Sequence, residues 1–150
     1  MFTRNHLATM AVLAALCSGA SSAFAADEHV GLFKSVAGQV HVLRGDASLP
    51  AVAGMQLFIA DRLTSEAGAS AGITFRDGTL LTLGASSDIK VRDYVFDPKQ
   101  SKYAFSVYLA KGSAVYSSGK IGKLSPESVK VDTPTATVGV RGTRFIVEAQ

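Results

Sequence analysis

Cysteine is all but missing from this chain, with Cys17 the only one in 150 residues. It sits in the N-terminal stretch MFTRNHLATMAVLAALCSGASSAFA, which reads as an export leader, so the processed chain is expected to hold none. A disulfide framework, a thiol nucleophile and a thiolate metal site are thereby excluded, and stability has to come from packing. Histidine is nearly as scarce. Beyond His6 there are only His29 and His41, too few for the three or four convergent ligands a metal centre needs. Both read as solvated, and no metal or cofactor is expected. A strong charge of one sign is also lacking. Lys+Arg number 15 against Asp+Glu 12, and Arg4 leaves with the leader. Nucleic-acid binding needs clustered cations facing phosphates, and this small excess is dispersed, so nucleic acid is not an expected partner.

Long apolar runs are missing too. Leu7–Leu16 is the one candidate, and it is shorter than the ~20 residues a spanning helix needs. Its setting fits a leader instead: Arg4 and His6 in a short polar start, then small residues, then Ala23-Phe24-Ala25. Cleavage is expected between Ala25 and Ala26. Residues 1–25 are then a signal peptide, and 26–150 a mature domain in the periplasm or outside the cell, without a stable membrane span. Leu16 before Cys17 is too bulky for a lipoprotein signal.

The mature chain is one domain's worth of residues. It shows no sustained helical period. Short alternating runs recur between turn residues, which is the pattern of an all-β domain. Val36–Gly45 reads as one strand with Val40 and Val42 on one face, and Leu57–Thr64 as a strand with an irregularity. Ala71–Phe75 and Thr79–Leu83 flank Asp77-Gly78, a hairpin signal for a type I′ turn with Gly78 at positive φ. Ile89–Phe96, Ala104–Leu109 and Ala114–Ser117 follow as separate strands, with residues 118–125 as a loop. The expected architecture is a single all-β domain of short antiparallel strands, sandwich or twisted solenoid-like, with no helix beyond the leader.

The last segment reads VDTPTATVGVRGTRFIVEAQ. Thr133-Pro134 belongs at a strand start or an edge, since proline cannot donate to a ladder, and the strand proper is expected to begin near Ala136. Ala136, Val138 and Val140 share one face, but Phe145 and Val147 have the opposite parity. One extra residue between them restores a common face, so a bulge or bend is expected at Arg141-Gly142-Thr143. Gly142 would supply the backbone, Thr143 a hydrogen bond, and Arg141 a planar fork for loose carbonyls. The stretch Gly139–Arg144 looks superficially like a phosphate loop. It lacks the Gly-Lys-Ser/Thr ending and leads into a strand.

No catalytic constellation appears. Ser117-Ser118 has no Gly-x-Ser-x-Gly elbow around it. Asp46, Asp61, Asp77, Asp88, Asp93 and Asp97 fall mainly at turns and polar faces, where aspartate serves the backbone. Tyr94, Tyr103, Tyr108 and Tyr116 read as cross-strand packing before an aromatic platform. Lys90, Arg92, Lys120 and Lys123 could form a mildly basic rim.

Three pieces occur in order: Gly38-Gln-Val-His-Val, Phe75-Arg-Asp-Gly-Thr79, and Val131-Asp-Thr-Pro followed by Val140-Arg-Gly-Thr-Arg-Phe145. Together they resemble the FecR domain family over nearly all of Val30 to Val147. The Arg-Gly-Thr-x-Phe ending is the most specific part. The resemblance implies an all-β extracytoplasmic domain. In founding members that domain is the periplasmic part of a transmembrane anti-sigma regulator, relaying an outer-membrane transporter's state to a sigma factor. This chain is expected to depart from that plan, with a cleavable leader, no cytoplasmic segment before it and no further domain after Gln150, and so to be the isolated domain exported alone. The expected role is a non-catalytic interaction module with an envelope protein as partner. A peptidoglycan- or polysaccharide-binding module is the alternative, and a hydrolase with an unrecognised site the third.

Overall fold

A computed structural model of the chain describes residues 28–140 and 143–150. The expected leader with its expected Ala25–Ala26 cleavage point, and Arg141 and Gly142 of the expected bulge, lie outside the described residues. Twelve strands are present: β1 (Gly31–Ala37), β2 (Val40–Arg44), β3 (Ala47–Pro50), β4 (Gln56–Leu57), β5 (Arg62–Ser65), β6 (Ser70–Phe75), β7 (Leu80–Leu83), β8 (Asp88–Asp97), β9 (Lys102–Ser117), β10 (Val129–Asp132), β11 (Thr137–Gly139) and β12 (Arg144–Ala149). A short helix, α1 (Lys120–Leu124), and a 3-10 turn (Pro126–Ser128) stand between β9 and β10.

The strands form one curled sheet in two halves that share β9. Residues Lys102–Lys111 of β9 pair with β8, and the half continues as β3-β2-β5-β8-β9-β10-β11. Residues Gly112–Ser117 pair with β7 and β12, giving β4-β1-β6-β7-β9-β12. The curl has a local cause. β7 and β8 lie end to end along β9, and the link between them kinks opposite Gly112, whose φ is +87°. Ser113 N–H donates to Ser87 Oγ at 2.9 Å across this corner. A Cβ on residue 112 would fall 2.5 Å from Ser87 Cα. Gly112→Ala is therefore expected to lower stability by about 2 kcal/mol, from left-handed backbone strain and overpacking together. Urea unfolding checks this, and an unchanged midpoint would show that the corner yields freely.

The alternating residues meet inside the curl. Ile73 and Phe75 of β6, Leu81 and Leu83 of β7, Ile89 and Val91 of β8, and Phe105, Val107 and Leu109 of β9 are all buried. Phe75 joins the halves, stacked on Tyr94 at 5.5 Å and edge-on to Phe105 at 4.9 Å. Each such side chain contributes about 1.5–3 kcal/mol on burial, and this must offset chain entropy of ~1–2 kcal/mol per residue. Among the described residues there is no disulfide to help, because none of them is cysteine.

Several sequence expectations need correction. Val36–Gly45 is not one strand: Gly38, at φ +71°, breaks it between β1 and β2, which belong to different halves. Leu57–Thr64 is likewise split, at Ala60 with φ +71°. Ala104–Leu109 and Ala114–Ser117 are one strand, since Lys111-Gly112 bends β9 without ending it. Residues 118–125 contain α1, so the expected loop holds a short helix. Nor is every pair antiparallel. β10 runs parallel to β9, Val129 opposite Phe105. Parallel neighbours need a crossover of about a dozen residues, and α1 with the 3-10 turn is that crossover.

Candidate functional site

The Asp77-Gly78 turn is the most elaborate polar feature inside the fold. It is not the expected type I′ turn. Gly78 N–H donates to Phe75 C=O at 2.9 Å, and Gly78, at φ +86°, is the turn residue at positive φ. That is a type I turn closed by a glycine bulge. The consequence is that Asp77 points inward, 2% exposed. Its Oδ2 accepts from Thr79 Oγ1 (2.6 Å) and from the Ile121 N–H of α1 (3.1 Å). Its Oδ1 accepts from Tyr94 Oη (3.1 Å) and Thr79 N–H (3.3 Å). Its own N–H donates to Tyr94 Oη (2.9 Å), and its carbonyl accepts from Lys120 N–H (2.9 Å). Asp77 thus caps α1 from a distant turn, which α1 needs, because its own preceding residue Gly119 supplies no side chain. A Cβ at Gly119 would lie 2.2 Å from Thr79 N, so only glycine lets helix and turn touch.

Two tyrosines complete this cluster. Burial pushes the Tyr94 phenol well above its ordinary range, and the Asp77 carboxylate adds to that. Burial also raises Tyr116, whose Oη lies beside the Ser118 and Thr79 hydroxyls without closing a well-formed hydrogen bond. The folded protein keeps these protons at pH values where the unfolded chain, with pKa ~10, releases them. Their contribution to stability is complete below about pH 10 and declines as pH rises past it. The urea midpoint is expected to fall from about pH 9 to about pH 11, and to fall less in Tyr116→Phe. An equal fall in that variant would assign the alkaline loss elsewhere.

Three other aspartates, Asp61, Asp88 and Asp132, hold arginines. Asp61, 1% exposed, takes Arg44 in a fork, Nε to Oδ1 at 2.9 Å and Nη2 to Oδ2 at 2.7 Å, while Phe58 N–H donates to Oδ2 at 2.9 Å. Arg44 also lies over the Phe58 ring at 4.5 Å. Arg62 forks onto Asp88. Arg92 bonds Asp132 at 3.1 Å and lies over Tyr108 at 4.3 Å. Among the described residues no cluster of metal-ligating side chains forms, and no helix is long and apolar enough to cross a membrane.

The remaining sequence-singled residues are dispersed. Thr133 closes a hairpin turn between β10 and β11, its N–H donating to Ala136 C=O at 2.8 Å and its Oγ1 accepting from Ala136 N–H at 3.1 Å. Pro134 sits in that turn, ahead of the edge strand β11 that starts at Thr137, and Ala136 is exposed beside it. Phe145 stacks on Tyr116 at 5.0 Å. Thr143 is exposed, and its carbonyl accepts Ser118 N–H at 2.7 Å. The tyrosines form no single platform: Tyr94 and Tyr116 are in the core, while Tyr108 lies on the outer face. Lys90 and Arg92 line an outer groove with Arg62 and Tyr108, whereas Lys120 and Lys123 lie on α1 beside the other half. A second groove, lined by Phe58, Ile59, Arg76, Tyr94 and Phe96, opens beside the Asp77 turn. Arg76 there pairs with Glu28 at 2.8 Å.

The fold and its polar interior define a class: a single all-β domain, a curled sheet whose short helix α1 is held by a buried aspartate turn. Residues 61–150 match the model described as FecR protein, and the chain belongs to that family. The Phe75–Thr79 and Val131–Phe145 motifs fall inside the match, while Gly38–Val42 precedes it. No curated protein and no solved structure matches the chain.

Proposed function

We propose that this protein is a non-catalytic, exported FecR-domain module that acts by protein–protein contact in envelope signalling or assembly. The observation that carries this reading is the open sheet. Among the described residues, β3, β4, β11 and β12 each have a strand neighbour on one side only. Unpaired edges are templates for strand addition by a partner. The buried carboxylates support the non-catalytic part, because Asp61 and Asp77 spend their oxygens on structural donors. The test is a pulldown with the purified protein from envelope extract, set beside purified peptidoglycan. A retained envelope protein is expected. Hydrogen exchange on that complex should show new protection on an edge strand, and protection confined to the sheet's outer faces would rule out strand addition.

A second reading, a polysaccharide-binding module, is favoured by the groove of Arg62, Lys90, Arg92 and Tyr108. Retention of peptidoglycan without protein would select it. Turnover on a hydrolase panel would overturn both.

A further inference from the structure

The open edges are not equivalent. β4 has two residues and β11 three, and β3 carries Pro50. Short strands and proline are the usual means of blunting an edge against pairing. β12 has neither. Its six residues pair with β9 in unbroken register from Arg144–Ser117 to Ala149–Gly112, and its other side meets no strand among the described residues. Its outer-face residues, Arg144, Ile146 and Glu148, are all exposed, and Ile146 is 66% so. A bare isoleucine between two opposite charges, on a regular unprotected edge, is a self-complementary pattern.

We propose that two copies of this chain pair antiparallel through β12, with Ile146 on the two-fold axis. In that register Ile146 faces its own copy. Arg144 faces Glu148 of the second copy, and Glu148 faces Arg144, so both ends of the strand gain an opposite-charge pair. On the inner face Phe145 comes opposite Val147, which continues the apolar layer. The register is specific. Moving the axis to Val147 sets Ile146 against Glu148, and moving it to Phe145 sets Ile146 against Arg144. An axis between residues would turn the apolar faces of the two copies to opposite sides of the sheet. This pairing goes beyond the interaction reading, which stands whether or not copies associate. It would leave β3, β4 and β11 open to other partners.

Sedimentation equilibrium of the purified protein is expected to show a concentration-dependent dimer that weakens with salt, as exposed ion pairs do. Arg144→Glu or Glu148→Arg alone places like charges together at both ends and should weaken the dimer roughly tenfold or more. Mixing the two single variants restores both opposite-charge pairs and should restore dimers, as should the double reversal. The mixture also controls for folding, since unfolded variants would not recover. Ile146→Cys should crosslink to itself under oxidant faster than Glu148→Cys, because only position 146 faces its own copy. A monomer at every concentration would overturn the pairing and leave β12 to a different protein. A dimer indifferent to both charge reversals would overturn it as well.

Discussion

Asp77→Ala is expected to lower stability by about 4 kcal/mol, with loss of α1 before the rest of the sheet opens. The carboxylate accepts from Tyr94 Oη, Thr79 Oγ1 and Ile121 N–H, all buried. Removing it strands those donors, at about 1–3 kcal/mol each and less than additively. A helix as short as α1 has no stability of its own in water, so the loss should appear first there. Hydrogen exchange at Ile121 should accelerate before exchange in β9. Asp77→Asn keeps one acceptor oxygen and the side chain's shape, and about 1–2 kcal/mol is expected. Urea unfolding of both variants measures the difference. If Asp77→Ala unfolds at the parent's midpoint, the turn is not what holds the helix.

Arg44→Ala should cost about 3 kcal/mol. It leaves Asp61, 1% exposed, with Phe58 N–H but without its fork. Breaking a buried ion pair costs about 3–5 kcal/mol, and the lower end applies because Arg44 itself is 36% exposed and water can follow the truncation. Arg44→Lys should recover only part, since an ammonium makes neither the two parallel bonds nor the stacking on Phe58. A double-mutant cycle with Asp61→Asn gives the coupling directly. The outer Arg92–Asp132 pair is the internal control. Both partners are solvent-accessible, and its removal should cost about 1 kcal/mol at most.

The two sites differ in how far the sequence announced them. Asp77-Gly78-Thr79 was visible as a turn, and the bond from Asp77 to Thr79 N–H is a local aspartate habit. Its link to Ile121 spans 44 residues and has no local signal. Arg44 and Asp61 lie 17 apart in sequence, each an ordinary polar residue near a strand end. Phe145 was expected on the common face that a bulge would restore, and it stacks on Tyr116. Nothing in its neighbourhood says that it would reach β9. The helix α1 was missed because Lys120-Ile-Gly-Lys-Leu124 has no cap and carries a glycine; its stability comes from the distant aspartate.

Alternation alone determined that this chain folds as strands around one core, and which residues face inward: Val40 and Val42, Ile73 and Phe75, Ile89 and Val91, and Phe105, Val107 and Leu109. That information is local, because successive side chains on an extended backbone point to opposite sides whatever lies beside them. Neighbourhood is not local. That β10 runs parallel to β9, that β9 serves both halves, that Asp77 reaches α1 and that β12, among the described residues, has a strand on one side only were decided only when the chain closed on itself. A strand's pattern states which face it buries, but the strand it lies against depends on links and bends such as that at Gly112, whose effects appear only in three dimensions.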